Sequence, residues 1–178
     1  MNIKTISGYL AVLCLSFLLH SIKPANTLYY SSLPVLMLMY PILVGHKVKI
    51  KFSIKDLLSG ILVSVFILLP YHFISGGHIK VITMSYVIFQ LLSVSLPEEF
   101  FFRGFLQDST GRNFKAVVFV SLLFSIAHLP KAVFLGEWMS LLSFFPSLVM
   151  GWLYMRTNNI IPGTIFHLLA NLVYNSTP

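Results

Sequence analysis

Long apolar runs separated by short polar breaks dominate the chain. The first extends from Ile6 to Ile22 behind the single basic residue Lys4, and the second from about Leu28 to Gly45 with Pro34 and Pro41 inside it. A third runs from about Leu57 to Ile74 and closes on Ser75-Gly76-Gly77, a turn signal that helix interiors avoid. The fourth starts near Ile79 and continues through Leu96-Pro97 into Glu98-Glu99-Phe100-Phe101-Phe102-Arg103-Gly104-Phe105-Leu106. The fifth covers about Lys115 to Leu129 and is stopped by Pro130; the sixth covers about Trp138 to Met155; the seventh runs from Pro162 to about Tyr174. Runs of this kind suit helices crossing a ~30 Å hydrocarbon core, which takes roughly 20 apolar residues each. The pattern predicts an all-α fold, a polytopic transmembrane bundle of about seven helices, in a single domain over residues 1–178.

Local features refine this outline. The fourth run would measure about 40 Å as one straight helix, longer than the hydrocarbon core, so a kink or break is expected at Pro97. Pro34 and Pro41 are expected to kink the second span. Lys4 and the first run also fit the start of a signal peptide, but the flank Leu19-His20-Ser21-Ile22-Lys23 offers no small-x-small cleavage site, which predicts a retained first span. His46 to Asp56 carries four lysines alternating with apolar residues and is expected to lie on an anionic headgroup surface. Threading seven spans puts Lys4, Lys47, Lys49, Lys51, Lys55, Arg112, Lys115 and Arg156 on the N-terminal side, against Lys23, Lys80 and Lys131 on the other. By the positive-inside rule this predicts a multi-pass protein of the cell membrane with a cytoplasmic N-terminus.

Composition agrees. With 57% hydrophobic and 10% charged residues and a mean hydropathy of +0.86, a water-soluble fold is excluded. The net charge of +7 belongs to topology and to the lipid bilayer as partner; no basic patch interleaved with aromatics points to nucleic acid. Cys14 is the only cysteine, which leaves no disulfide framework and no thiolate metal cluster, and it is expected to be a packing residue.

Of the five acidic residues, Asp56 and Asp108 are placed in loops and Glu137 at a span start, leaving Glu98 and Glu99 amid apolar sequence. A carboxylate at membrane depth costs at least ~2.5 kcal/mol on insertion scales, so two in a row call for a functional explanation. On a helix Glu99 faces Arg103 at i+4 and can be neutralised by it, whereas Glu98 points about 100° away and suits a general base at a wet cavity. The plain structural alternative is an ion cluster that ties helices together, or a Glu98 solvated among headgroups. Three further polar residues bear on the choice. His128 ends Phe124-Ser125-Ile126-Ala127-His128, and His167 and Asn171, at i and i+4, can converge on one point; Asn is a donor suited to an oxyanion, and His to that role or to proton transfer. His20 and His72 read as hydrogen-bonded packing residues.

Glu, two His and Asn could ligate zinc, but Asn is a poor zinc ligand and His-Glu-x-x-His is absent, so no metal is assigned, with zinc left open. Gly-x-Ser-x-Gly is absent as well, and both aspartates are placed outside the spans, which removes a serine nucleophile and an aspartyl dyad.

Glu-Glu-x-x-x-Arg, Phe-x-x-x-His and His-x-x-x-Asn, in this order in three apolar segments between about Pro97 and Asn171, resemble the CPBP family of CAAX prenyl proteases and bacteriocin-processing proteins, also called Abi. The resemblance implies a glutamate-type intramembrane protease with no cofactor, its motif-bearing core at about 80–175. It implies that Glu98 activates water with His128, that His167 and Asn171 polarise the scissile carbonyl, and that Glu99 and Arg103 have a supporting, structural part. Substrates implied are membrane-embedded or lipid-associated peptides: CAAX-like termini, peptide pheromones, bacteriocin leaders, or C-terminal sorting and anchor signals. Readings from other classes are a non-catalytic scaffold or immunity protein of the same fold, and a small proton-coupled transporter relaying protons through Glu98, His128 and His167. One expectation sits awkwardly. Seven spans put Glu98 and His167 toward the inner side, while His128 ends its span about 20 Å from an inner start near Lys115.

Overall fold

The computed structural model describes residues 2–77 and 82–176 and contains, among them, seven helices and no strand. The expected start of the fourth span near Ile79, and the placement of Lys80, fall outside the described residues. The helices are α1 (Ile3–Ile22), α2 (Leu28–Leu43), α3 (Ile54–Ile74), α4 (residues 84–110), α5 (Phe114–Leu135), α6 (Trp138–Thr157) and α7 (Ile161–Tyr174). α1, α3, α5 and α6 are long and apolar enough to cross a membrane; α2 and α7 are shorter apolar helices, and α4 carries the charged motif. The outer surface is apolar where a soluble protein would be polar. On α3, Leu62, Phe66 and Phe73 are 66%, 82% and 73% exposed, a lipid-facing surface rather than a water-facing one. Inside, Phe101, Phe102, Phe105, Phe124, Met150 and Phe166 form the buried centre.

Of the kink or break expected at Pro97, the break does not occur in α4. α4 is one continuous helix in which two π turns, Gln90–Ser95 and Phe102–Gln107, alternate with α turns. The Leu96 N–H bonds to Leu91 O, one residue further back than in an α-helix, and this wide turn accommodates the Pro97 ring without ending the helix. Pro130 does not stop α5 either. It occupies the first turn of the continuing stretch Leu129–Leu135, where a proline costs no hydrogen bond, after a single non-α residue at His128. Pro34 lies in the first turn of the stretch Ser32–Leu43 within α2, and Pro41 in its last.

These two corrections resolve the depth of His128. α4 and α5 form a hairpin closed at Gly111, which has a φ of 134°, and at Asn113, whose side chain caps the Ala116 N–H. Glu98 lies about 18 Å up one arm and His128 about 21 Å up the other, at 1.5 Å per residue, so they stand level.

Polar residues join α4 to α6 along one seam. Arg103 Nη2 donates to Ser147 Oγ at 2.7 Å, Gln107 Nε2 to Gly151 O at 2.8 Å, and Tyr154 OH to Asp108 Oδ1 at 2.9 Å. Gly151 is needed for this approach, because a Cβ there would stand 2.9 Å from Val117 Cγ1 and 3.1 Å from Gln107 Oε1. Gly60 lets α3 lie against the start of α7 in the same way, where a Cβ would be 2.8 Å from Pro162 O. Asp108 is therefore in the last turn of α4 and Asp56 in the first turn of α3, not in loops.

The basic segment is a strap with two faces. The His46 Nε2–H donates to Gly104 O at 2.8 Å, a carbonyl left free because the Asp108 N–H turns back to Arg103 O in the π turn. Lys49 pairs with Asp108 at 3.1 Å, and buried Asn159 holds the Lys51 backbone from both sides while donating to Asp56 Oδ2. Lys47, Lys51 and Lys55 face outward, together with Phe52 and Ile54. Cys14 is exposed on the outer face of α1 rather than packed in the core, whereas His20 is buried and donates to Ser16 O, as a packing residue should.

Candidate active site

Three helices converge on the Glu-Glu-Arg turn of α4. Glu99 and Arg103, one helical turn apart, are both fully buried and joined by Arg103 Nε to Glu99 Oε2 at 3.1 Å. Two charges in an apolar interior hold only when each is also hydrogen-bonded. Arg103 meets this condition through Ser147 and by lying 5.4 Å from the centre of the Phe124 ring; Glu99 meets it through His167, whose Nδ1–H donates to Oε1 at 3.3 Å. The carboxylate fits because α7 has no side chain where it passes. A Cβ on Gly163 would stand 2.8 Å from Glu99 Oε2.

Glu98 takes the other direction, as the helical geometry requires. Its side chain is 18% exposed, and its Oε2 is buried, accepts no hydrogen bond and lies 3.7 Å from His167 Nε2, an electrostatic contact rather than a bond. Both ring nitrogens of His167 thus face carboxylate oxygens. The ring can donate to both only as an imidazolium, and in that form two cations balance two carboxylates.

Glu98 and His128 share a cavity of about 40 Å³, with room for a water. Phe102, Ala127 and Lys131 complete that side, and Val12, Ser16, Leu33 and Met37 from α1 and α2 close the opposite wall. The His128 Nδ1–H donates to Phe124 O at 2.9 Å, so the neutral ring keeps its lone pair on Nε2. The Phe124 ring packs against both histidines, with centroids 4.8 Å from His128 and 5.8 Å from His167.

The structure therefore brings together Glu98, Glu99, Arg103, His128 and His167. Asn171 lies one turn beyond His167, and its Nδ2 donates to Gln90 Oε1 at 3.1 Å. Sequence reading passed over Ser147, Gly163 and Gln90. Ser147 and Gln90 are single polar residues in apolar runs, a signal present but weak; Gly163 reads as part of a Pro-Gly helix start. Among the described residues, no three of His, Cys, Asp and Glu are placed to hold a metal ion together.

Comparison with curated proteins and with solved structures finds no match. A family profile described as Rce1-like, type II CAAX prenyl endopeptidase Rce1-like, matches residues 80–173, a little over half of the chain. That span carries Glu98, Glu99, Arg103, His128, His167 and Asn171. With α4 and α5 lining one small cavity, His167 of α7 against both glutamates, and the match extending over all three helices, the chain belongs to the Rce1-like family of CAAX-type prenyl endopeptidases, a family of proteases.

Proposed function

We propose that this chain is a single-domain intramembrane endopeptidase of the glutamate type, which hydrolyses a peptide bond in a membrane-associated substrate with a water activated by Glu98. The observation that carries the reading is the cavity that Glu98 and His128 line together, with room for a water between them, while Glu98 Oε2 on its other side faces His167 Nε2. A carboxylate in an apolar enclosure is well suited to take a proton from water.

In this reading the water oxygen attacks the scissile carbonyl carbon and its proton passes to Glu98. His128 orients the water through Nε2. The carbonyl oxygen becomes an oxyanion, held by His167 Nε2–H and the Asn171 amide. When the tetrahedral intermediate collapses, the C–N bond breaks and the leaving amine takes the proton that Glu98 received, directly or relayed through His128 Nε2. Glu99 and Arg103 do no bond-making; they hold His167 and stiffen the turn that carries Glu98.

The substrate class in this reading is a membrane-anchored peptide, such as a C-terminal sorting or anchor segment, a CAAX-like terminus or a bacteriocin-type leader. The protein resides in the cell membrane with its N-terminus in the cytoplasm, its outward lysines at the strap meeting anionic headgroups. The test is a library of membrane-anchored peptides incubated with purified protein in lipid nanodiscs, with products read by mass spectrometry. Cleavage by the wild type that disappears in both His128→Ala and His167→Ala supports the assignment. Cleavage that persists in both overturns it.

A further inference from the structure

Asn171 is held by a residue outside the three motifs. Its Nδ2 donates to Gln90 Oε1 at 3.1 Å, and Gln90 Nε2 donates to the Tyr86 hydroxyl at 3.0 Å. The Gln90 amide is thereby oriented from both ends, with its acceptor toward α7 and its donor toward its own helix.

The backbone of α4 makes this possible. Along an uninterrupted α-helix, Gln90 and Glu98 would be about 80° apart around the axis. The π turn Gln90–Ser95 inserts one residue between them and brings them to within about 20°. One face of α4 therefore presents both Glu98 and Gln90, about two turns apart, and α7 answers with His167 and Asn171, on one face and one turn apart. Glu98 meets His167, and Gln90 meets Asn171. An asparagine amide has two N–H groups in one plane, so fixing one on Gln90 sets the direction of the other.

We propose that Gln90 is a positioning residue that sets the Asn171 amide for the substrate carbonyl, the π turn being the device that brings it into register with Glu98. The proposal rests on the reaction assigned above. A donor aimed in advance stabilises an oxyanion without reorganising during the reaction, whereas an asparagine free to rotate does not.

The test uses the full chain in nanodiscs and the peptide cleaved by the wild type. Gln90→Leu is expected to lower kcat about tenfold, a part of what losing an oxyanion donor costs, with KM unchanged within about twofold. Gln90→Glu keeps an oxygen acceptor for Asn171 and is expected to recover most of that loss. Tyr86→Phe, which leaves Gln90 in place but removes its anchor, is expected to lower kcat by a few-fold. In an Asn171→Ala background, Gln90→Leu is expected to cost nothing more. Wild-type kcat in Gln90→Leu, or a full further loss in the Asn171→Ala background, would overturn the proposal. If Glu98→Gln is inactive while Gln90→Leu is fully active, only the positioning role fails; if Glu98→Gln cleaves at the wild-type rate, the reaction assignment itself fails.

Discussion

His167 of α7 bridges the two adjacent glutamates of α4, with Nδ1 3.3 Å from Glu99 Oε1 and Nε2 3.7 Å from Glu98 Oε2. One ring thus links the carboxylate that is fully paired to the one that is not. The buried Glu99–Arg103 pair and Glu98 are thereby coupled through the His167 ring of α7.

Removing Arg103 leaves Glu99 as a buried charge with only His167 to answer it. Arg103→Met is expected to destabilise the protein by about 3–5 kcal/mol, the usual cost of breaking a buried pair from one side. The double variant Arg103→Met with Glu99→Gln is expected to recover part of this. Thermal unfolding in detergent checks both; equal losses in the single and double variants would mean the pair is not coupled.

Gly163 is expected to tolerate no side chain. Alanine there places a methyl group 2.8 Å from Glu99 Oε2, so the carboxylate or the helix must shift, at about 1–3 kcal/mol. Because Glu99 orients His167, cleavage should fall together with the melting temperature. A Gly163→Ala protein as stable and active as wild type would show that Glu99 has room to spare.

Ser147→Ala removes the hydroxyl that receives Arg103 Nη2 and leaves a buried guanidinium donor unpaired. A loss of about 1–3 kcal/mol is expected, measured by chemical unfolding in mixed micelles. The substitution changes little volume, so an unchanged stability would mean that Arg103 finds another partner.

Asn159→Ala is expected to release the strap without disturbing the cavity. Its amide holds the Lys51 backbone on both sides and reaches Asp56. Hydrogen exchange should accelerate at the Lys51 amide while exchange in α5 stays as in wild type. Unchanged protection at Lys51 would place the strap's anchor elsewhere, on Lys49 and Asp108.

Hydropathy made the seven helices and their order legible, because each apolar run had to become a helix once it was too long and too apolar for water. It could not show that α4 stays whole through Pro97 or that α5 runs past Pro130. Both depend on local hydrogen-bond offsets, a π turn and a first-turn proline, that a proline in the sequence does not announce. The charged motif was readable for the opposite reason to the helices: Glu98, Glu99 and Arg103 are conspicuous because the membrane penalises them. Ser147, Gly163 and Gln90 were not, since a hydroxyl, a missing side chain and one amide are each unremarkable until a partner from another helix stands opposite.

The proposed reaction depends most directly on the carboxylate of Glu98. Glu98→Gln keeps the shape of the side chain and removes its ability to accept a proton, so cleavage of a membrane-anchored peptide should fall by at least about a hundredfold while the melting temperature holds. A Glu98→Gln protein that cleaves the same peptide at the wild-type rate would contradict it.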